Sequence, residues 1–176
     1  GLGKDIIRRF IELGIIQSIV DIFRLDYVQI LELEGWQAKS VEGLKKSIEE
    51  SKQNELYRLI VALGIDNVGN TMSKSLAKKV EHLLDFRTWT KENFTQIDDI
   101  GDKMAQSLVD FYALPSSIET LHDLEALGVN LKGATLNTDG MLSGKQIVFT
   151  GFRDAELEKK IEDLGGEVLN SLSKKT

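Results

Sequence analysis

One short motif recurs four times at nearly constant spacing, and this period restricts the fold more than any other feature of the chain. Gly1-Leu2-Gly3, Gly35-Trp36-Gln37, Asn67-Val68-Gly69 and Asp99-Ile100-Gly101 begin 34, 32 and 32 residues apart. Such periods mark supersecondary units that stack on one another. An apolar residue stands seven places after each third position: Phe10, Leu44, Leu76 and Leu108. Leu33, Ile65 and Ile97 precede the second to fourth motifs by two residues. Each unit therefore reads as helix, tight turn, helix. Gly, Asn and Asp at the first position are the types that enter positive φ most readily, so the turn itself is the repeated object. Helical solenoids share a period near 33, but there aromatic and small packing positions recur instead of a turn.

The flanking pattern agrees with short amphipathic helices. Ile6, Ile7, Phe10 and Ile11 form one stripe, Leu56, Leu59, Ile60 and Leu63 another, and Leu76, Ala77, Val80 and Leu83 a third. Ser18 with Asp21, and Ser116 with Glu119, read as capping boxes, with Pro115 just upstream of the second. Residues 1–128 are expected to be helical. Residues 129–142 are polar and glycine-containing without helical period, which is how a linker reads. In residues 143–176 the pattern changes class. Gln146 to Thr150 is rich in strand formers, Ala155 to Leu164 is helical, Gly165-Gly166 is a turn, and Glu167 to Asn170 returns as a strand. That piece reads as the first strand, helix and second strand of a larger fold, and pieces under ~40 residues rarely fold unaided.

Composition narrows the chemistry. The 176 residues contain no cysteine and two histidines, which excludes disulfides, a thiol nucleophile and a thiolate zinc site. His82 and His122 have no second ligand at metal spacing and are assigned structural or surface roles. Asp98-Asp99 has no accompanying nucleophile and is not read as a catalytic pair. The longest apolar run, Leu59 to Ile65, is far below the ~18 residues of a membrane span, so an intracellular soluble protein without a membrane partner is expected. A net charge of −6 argues against non-specific attraction to nucleic acid. A turn feeding directly into a helix, however, presents consecutive N–H groups and the positive end of the helix dipole. That arrangement holds a phosphate without a side-chain charge.

With Leu2, Trp36, Val68 and Ile100 as central apolar residues, the repeated unit resembles the helix-hairpin-helix motif, whose flanking backbone amides meet nucleic-acid phosphates. Four such units precede a linker, Leu142-Ser143-Gly144-Lys145-Gln146-Ile147-Val148-Phe149-Thr150-Gly151 and Leu164-Gly165-Gly166. That order resembles the C-terminal part of bacterial NAD-dependent DNA ligases, where a tandem helix-hairpin-helix domain precedes a BRCT domain. The resemblance implies a mainly α fold of tandem helix-hairpin-helix repeats with a partial α/β BRCT segment. It implies a sequence-independent grip on duplex DNA around a nick, two hairpin pairs following the two strands through sugar and phosphate contacts.

In that family the nucleotidyl transferase domain with its adenylylated lysine, the OB-fold and a four-cysteine zinc finger lie elsewhere in the protein. This segment is therefore expected to be inactive alone and to bind no cofactor, while NAD, Mg2+ and a structural Zn2+ serve the parent enzyme. The implied partners are nicked double-stranded DNA and the rest of the ligase chain, in a monomer of the bacterial cytoplasm associated with the nucleoid.

The implied DNA-binding residues are Gly1, Gly3, Lys4 and Arg8 in the first unit and Gly35 and Lys39 in the second. Asn67, Gly69, Asn70 and Lys74 follow in the third, and Gly101 and Lys103 in the fourth. Arg9, Lys78 and Lys79 add charge near the first and third. Gln37 replaces the second glycine of unit two, which makes that unit a structural candidate. Asp98, Asp99 and Asp102 crowd unit four. Thr150 and Gly151 are a candidate BRCT phosphate site, or simply a strand-ending turn. Two rival readings are a helix-hairpin-helix subunit of another repair or recombination system and a helical scaffold for protein partners.

Overall fold

The computed structural model describes residues 2–133, 141–142, 145–151 and 154–169. Gly1, named above as a site residue, lies outside the described residues. The chain divides into two compact units, Gly1–Ala134 and Thr135–Thr176.

The first unit is helical. Its elements are α1 (Lys4–Glu12), α2 (Ile19–Ile22), α3 (Tyr27–Leu31), α4 (Ala38–Ser51), α5 (Leu56–Ala62) and α6 (Asn70–Ala77). A 3-10 turn (Leu83–Thr88), α7 (Lys91–Thr95), α8 (Asp102–Ala113) and α9 (Pro115–Ala126) complete it. Helices α3 and α4, α5 and α6, and α7 and α8 pair as hairpins, and α1 is the second helix of the first motif. The four residues at matching offsets, Phe10, Leu44, Leu76 and Leu108, are all buried, as the repeat predicts. They fall into two apolar clusters. Phe10, Ile16, Leu25, Ile30, Val41, Leu44 and Ile48 form the first; the larger second cluster is built mainly from Leu56 onward and runs to Leu131. Hairpins one and two thus share one core, and hairpins three and four the other. Helix α2 packs against α9, and Phe23 lies against both clusters, so the two cores are joined.

Helix starts follow local chemistry in part. Asp21 accepts from the amides of Gln17 and Ser18 at 2.9 and 2.8 Å, closing the N-terminus of α2. These bonds, the Gln17 amide foremost, hold its carboxyl below the ordinary range. The second expected capping box is corrected. Helix α9 begins two residues earlier than that box implies, at Pro115, with Leu114 as its cap, which places Ser116 inside the first turn. Proline needs no amide partner there and its fixed φ suits the first helical position. The third apolar stripe is also broken: α6 ends at Ala77, and Leu83 opens the 3-10 turn.

The start of the expected linker is corrected as well. Residues 129–133 run back across the helical unit, burying Val129 and Leu131. Asn130 donates from its amide to the Lys52 carbonyl at 2.8 Å and from Nδ2 to the Asn54 carbonyl at 3.1 Å. The Leu83 amide donates to Leu131 and the Gly133 amide to Glu81, each at 2.9 Å, framing an antiparallel bridge between His82 and Lys132. These bonds link residues far apart in the chain, so a local reading sees only polar, glycine-containing text. A Cβ on Gly133 would sit 1.9 Å from the Val80 carbonyl oxygen and 2.7 Å from that of Ala77. Both obstacles are backbone and cannot swing aside. Gly133→Ala is expected to lift this segment and cost about 1–3 kcal/mol, the range of over-packed sites. Thermal melting would show it, with faster exchange of the Leu83 amide.

The second unit is a β-α-β piece, as the pattern predicts. Strands β1 (Gln146–Val148) and β2 (Glu167–Leu169) are parallel, with Ile147 opposite Val168. Parallel pairing requires a crossover, and α10 (Ala155–Asp163) supplies it. Asp154 caps α10 by accepting from the Glu156 and Leu157 amides at 2.9 and 3.2 Å. No helix among the described residues is long and apolar enough to cross a membrane.

Candidate nucleic-acid interface

The repeated turn has one geometry in hairpins two, three and four. The amides of Trp36, Val68 and Ile100 donate to the carbonyls of Leu33, Ile65 and Ile97 at 3.1, 3.0 and 3.1 Å. The third residue of each turn has positive φ: +87° at Gly35, +64° at Asn67 and +66° at Asp99. That pattern is the type II turn, which demands a left-handed residue at this place. Asn and Asp are the side-chain-bearing types that accept it at least cost. The fourth residue turns inward. Val68 and Ile100 are buried, while Trp36 packs on the first cluster with its ring 5.7 Å from that of Phe10.

The next residue is the helix cap, and here the glycines have a different explanation. Gly3, Gly69 and Gly101 have φ of −73°, −91° and −82° with extended ψ, a conformation open to any residue. Gln37 takes the equivalent conformation in hairpin two. A Cβ on Gly3, Gly69 or Gly101 would meet nothing within 4 Å. Neither the backbone nor the neighbours of these three positions requires glycine. What its absence of a side chain achieves is open access to the first-turn amides of α1, α6 and α8, where no side-chain cap accepts a hydrogen bond. Hairpin two differs. Ser40 Oγ accepts from the Gln37 amide at 2.9 Å and donates to its carbonyl at 2.8 Å, so the cap amide is partnered within the chain, and the cap residue carries a side chain where the other three have none.

The basic residues do not act alike. Lys4, Lys39, Lys74 and Lys103 are all exposed. Lys74 lies with Nζ 5.1 Å from the centre of the Tyr57 ring, which fixes the ammonium on the face of hairpin three. Arg8 faces Asp5 at 3.7 Å. Arg9 is engaged elsewhere, donating from Nη1 to the Glu34 carbonyl at 3.0 Å. Asn70 is the exposed first residue of α6. In hairpin four Lys91 pairs with Asp102 at 3.2 Å, offsetting one of the three acids around Gly101, and Asp98 and Asp99 stay exposed. Asn67 adds a contact no local signal predicts, donating from Nδ2 to Ser107 Oγ in α8 at 3.1 Å. His82 is a structural residue: its ring accepts from the Leu84 amide and meets Glu125 of α9. Among the described residues no group of three His, Cys, Asp or Glu side chains is placed to hold a metal ion. In the second unit, Thr150 and Gly151 follow β1 and are exposed. Gly151 has φ of +102°, so its backbone alone accounts for glycine.

Comparison with known proteins covers both units. The profile of the helix-hairpin-helix motif matches residues 58–121, and that of the BRCA1 C Terminus (BRCT) domain matches residues 137–176. A DNA ligase of Persephonella marina is 40% identical over 181 residues, covering 100% of this chain and 25% of that protein. A DNA ligase of Oceanobacillus iheyensis is 40% identical over 185 residues, covering 100% of this chain and 28% of its own. A third, from a Thermoanaerobacter species, is 37% identical over 181 residues, with 100% and 27% covered. Over its whole length the chain is similar to one part of these DNA ligases. It spans about a quarter of the length of these relatives. The helix-hairpin-helix match coincides with hairpins three and four, which carry the repeated turn and the open caps at Gly69 and Gly101.

Proposed function

We propose that this chain is the part of an NAD-dependent DNA ligase that holds duplex DNA around a nick, without regard to sequence. The observation that carries the reading is the set of cap glycines at Gly3, Gly69 and Gly101, which no internal constraint explains and which uncover helix N-termini. A phosphate oxygen placed there accepts from two or three amides and completes the charge of the dipole. Backbone amides read no base, so register along the duplex is free, as sealing of nicks at any sequence requires. Lys4, Lys74 and Lys103 add screening-sensitive attraction from exposed positions. The side chain of Gln37 at the cap of hairpin two hinders close approach there and makes Gly35 and Lys39 supports of the fold and of the local field. The AMP transfer chemistry, with NAD, Mg2+ and a structural zinc, is assigned to parts of the ligase outside this chain. The acting form is a cytoplasmic, nucleoid-associated monomer.

The test is fluorescence anisotropy of a labelled nicked duplex across a salt series. Two to four phosphate contacts predict a log–log slope of roughly −2 to −4. Affinity should be unchanged when the duplex sequence is scrambled. No binding at low salt would overturn the proposal, and so would a strong sequence preference.

A further inference from the structure

The side chain at the left-handed position of hairpin three does something its counterparts do not. Gly35 shows that this turn needs no side chain there, and Asp99 shows that a carboxylate is accepted. Asn67 alone among the three brings an N–H donor. Its Nδ2 donates to Ser107 Oγ at 3.1 Å, and the Ser107 hydroxyl donates in turn to the Lys103 carbonyl at 3.1 Å. The hydroxyl has one proton to give and lone pairs to receive, so both bonds are satisfied with their polarity in order. The relay starts at the turn before Gly69 and ends in the first turn of α8, just after Gly101. It therefore joins the two open caps of one hairpin pair.

The other pair contains a tie at the same register. Ser107 stands six residues after its cap glycine, Gly101, and Arg9 stands six residues after Gly3. Arg9 donates from Nη1 to the carbonyl of Glu34, the second residue of the turn in hairpin two, at 3.0 Å. In both pairs, one hairpin's turn is fastened to the same position on the second helix of its neighbour. The chemistry differs between the two, a relay through a hydroxyl in one and a guanidinium on a carbonyl in the other.

We propose that Asn67 and Ser107 are positioning residues that hold the open caps at Gly69 and Gly101 at a fixed separation suited to two phosphates of one duplex. The idea rests on the duplex-binding reading above. Phosphates on DNA have set spacing, and two sites free to shift lose affinity to the cost of ordering them, which a prior tie removes. A neutral hydrogen bond at a half-open site is a modest contributor, so the expected weakening is about threefold to tenfold.

The test uses Asn67→Gly, which keeps the left-handed turn, Ser107→Ala, the double variant, and Ser107→Thr, which restores the hydroxyl. Each of the first two should weaken binding of a nicked duplex by about threefold to tenfold, with unfolding temperatures close to that of the parent. The double variant should be no weaker than the poorer single, and Ser107→Thr should bind as the parent does. Amide NMR should show Asn67→Gly moving the signals of Gly101 to Lys103, and Ser107→Ala moving those of Val68 to Asn70. Additive losses in the double variant, binding by Ser107→Ala equal to the parent, or shifts confined to the altered hairpin would each overturn the tie. Should the parent chain bind no duplex, the binding reading falls, and the reciprocal amide shifts alone decide whether the two caps are coupled.

Discussion

Exchanging Gly69 and Gly101 together for aspartate is expected to abolish duplex binding while leaving the fold at least as stable as before. Aspartate is among the preferred cap residues, and both positions already have the extended backbone that a cap adopts. The new Cβ meets nothing within 4 Å at either site. Each carboxylate can accept from the second and third amides of its helix, Thr71 and Met72 in α6, Lys103 and Met104 in α8. Relative to glycine that gain is a few tenths of a kcal/mol. At Gly101 the neighbouring Asp98, Asp99 and Asp102 offset part of it by like-charge repulsion. The same carboxylate stands where a phosphate oxygen would sit. Charge-assisted hydrogen bonds contribute about 1.5–3 kcal/mol each, so every blocked cap should weaken binding by roughly tenfold to a hundredfold. The salt slope should also become shallower by about 2 units, one for each lost phosphate. Anisotropy titrations beside thermal melts separate the two effects. Unchanged affinity in the double variant would mean the open caps are not where DNA is held.

Much of this arrangement was legible from residue types alone, because local steric rules decide it. Positive φ at Gly35, Asn67 and Asp99 follows from the few side chains that tolerate a left-handed backbone. Burial of Phe10, Leu44, Leu76 and Leu108 follows from helical periodicity counted from each turn. The side chain at the cap of hairpin two is read directly from Gln37 in place of glycine, whereas the Ser40 hydroxyl that takes the Gln37 amide leaves no such sign. Features that depend on distant partners left no such trace. Asn67 meets Ser107 across 40 residues, His82 meets Glu125 across 43, and Asn130 reaches Asn54 across 76. The segment 129–133 looked like a linker because its apolar residues are only two, Val129 and Leu131, and a short edge pairing has no period to detect. Arg9 reads as added charge near the first unit because charge is visible in sequence, whereas the Glu34 carbonyl that engages it is not.

The second core owes its coherence to a residue outside any hairpin, and Phe86→Ala is expected to cost far more stability than the cap substitutions. Phe86 is 1% exposed and sits in the 3-10 turn between hairpins three and four. Its ring lies 4.8 Å from that of Trp89, edge to face, 5.4 Å from Phe94 and 6.0 Å from Tyr112. The same turn is held by the Tyr112 hydroxyl, which donates to the Leu83 carbonyl at 3.1 Å, and burial pushes that hydroxyl's pKa well up. Truncation would leave a cavity walled by rigid rings, which cannot collapse as an aliphatic site does. A loss of about 3–5 kcal/mol follows, a large part of the 5–15 kcal/mol that holds an ordinary domain. The two tryptophans give separate readouts, Trp36 packed in the first cluster and Trp89 in the second. In single-tryptophan forms made by Trp36→Phe or Trp89→Phe, denaturant titration should show Trp89 unfolding at lower concentration once Phe86 is truncated. Because α2 packs on α9 and Phe23 touches both clusters, the Trp36 transition should move with it. A Trp36 midpoint that stays in place would show instead that the hairpin pairs fold independently, and their relative placement on DNA would then have to come from the duplex rather than from the protein.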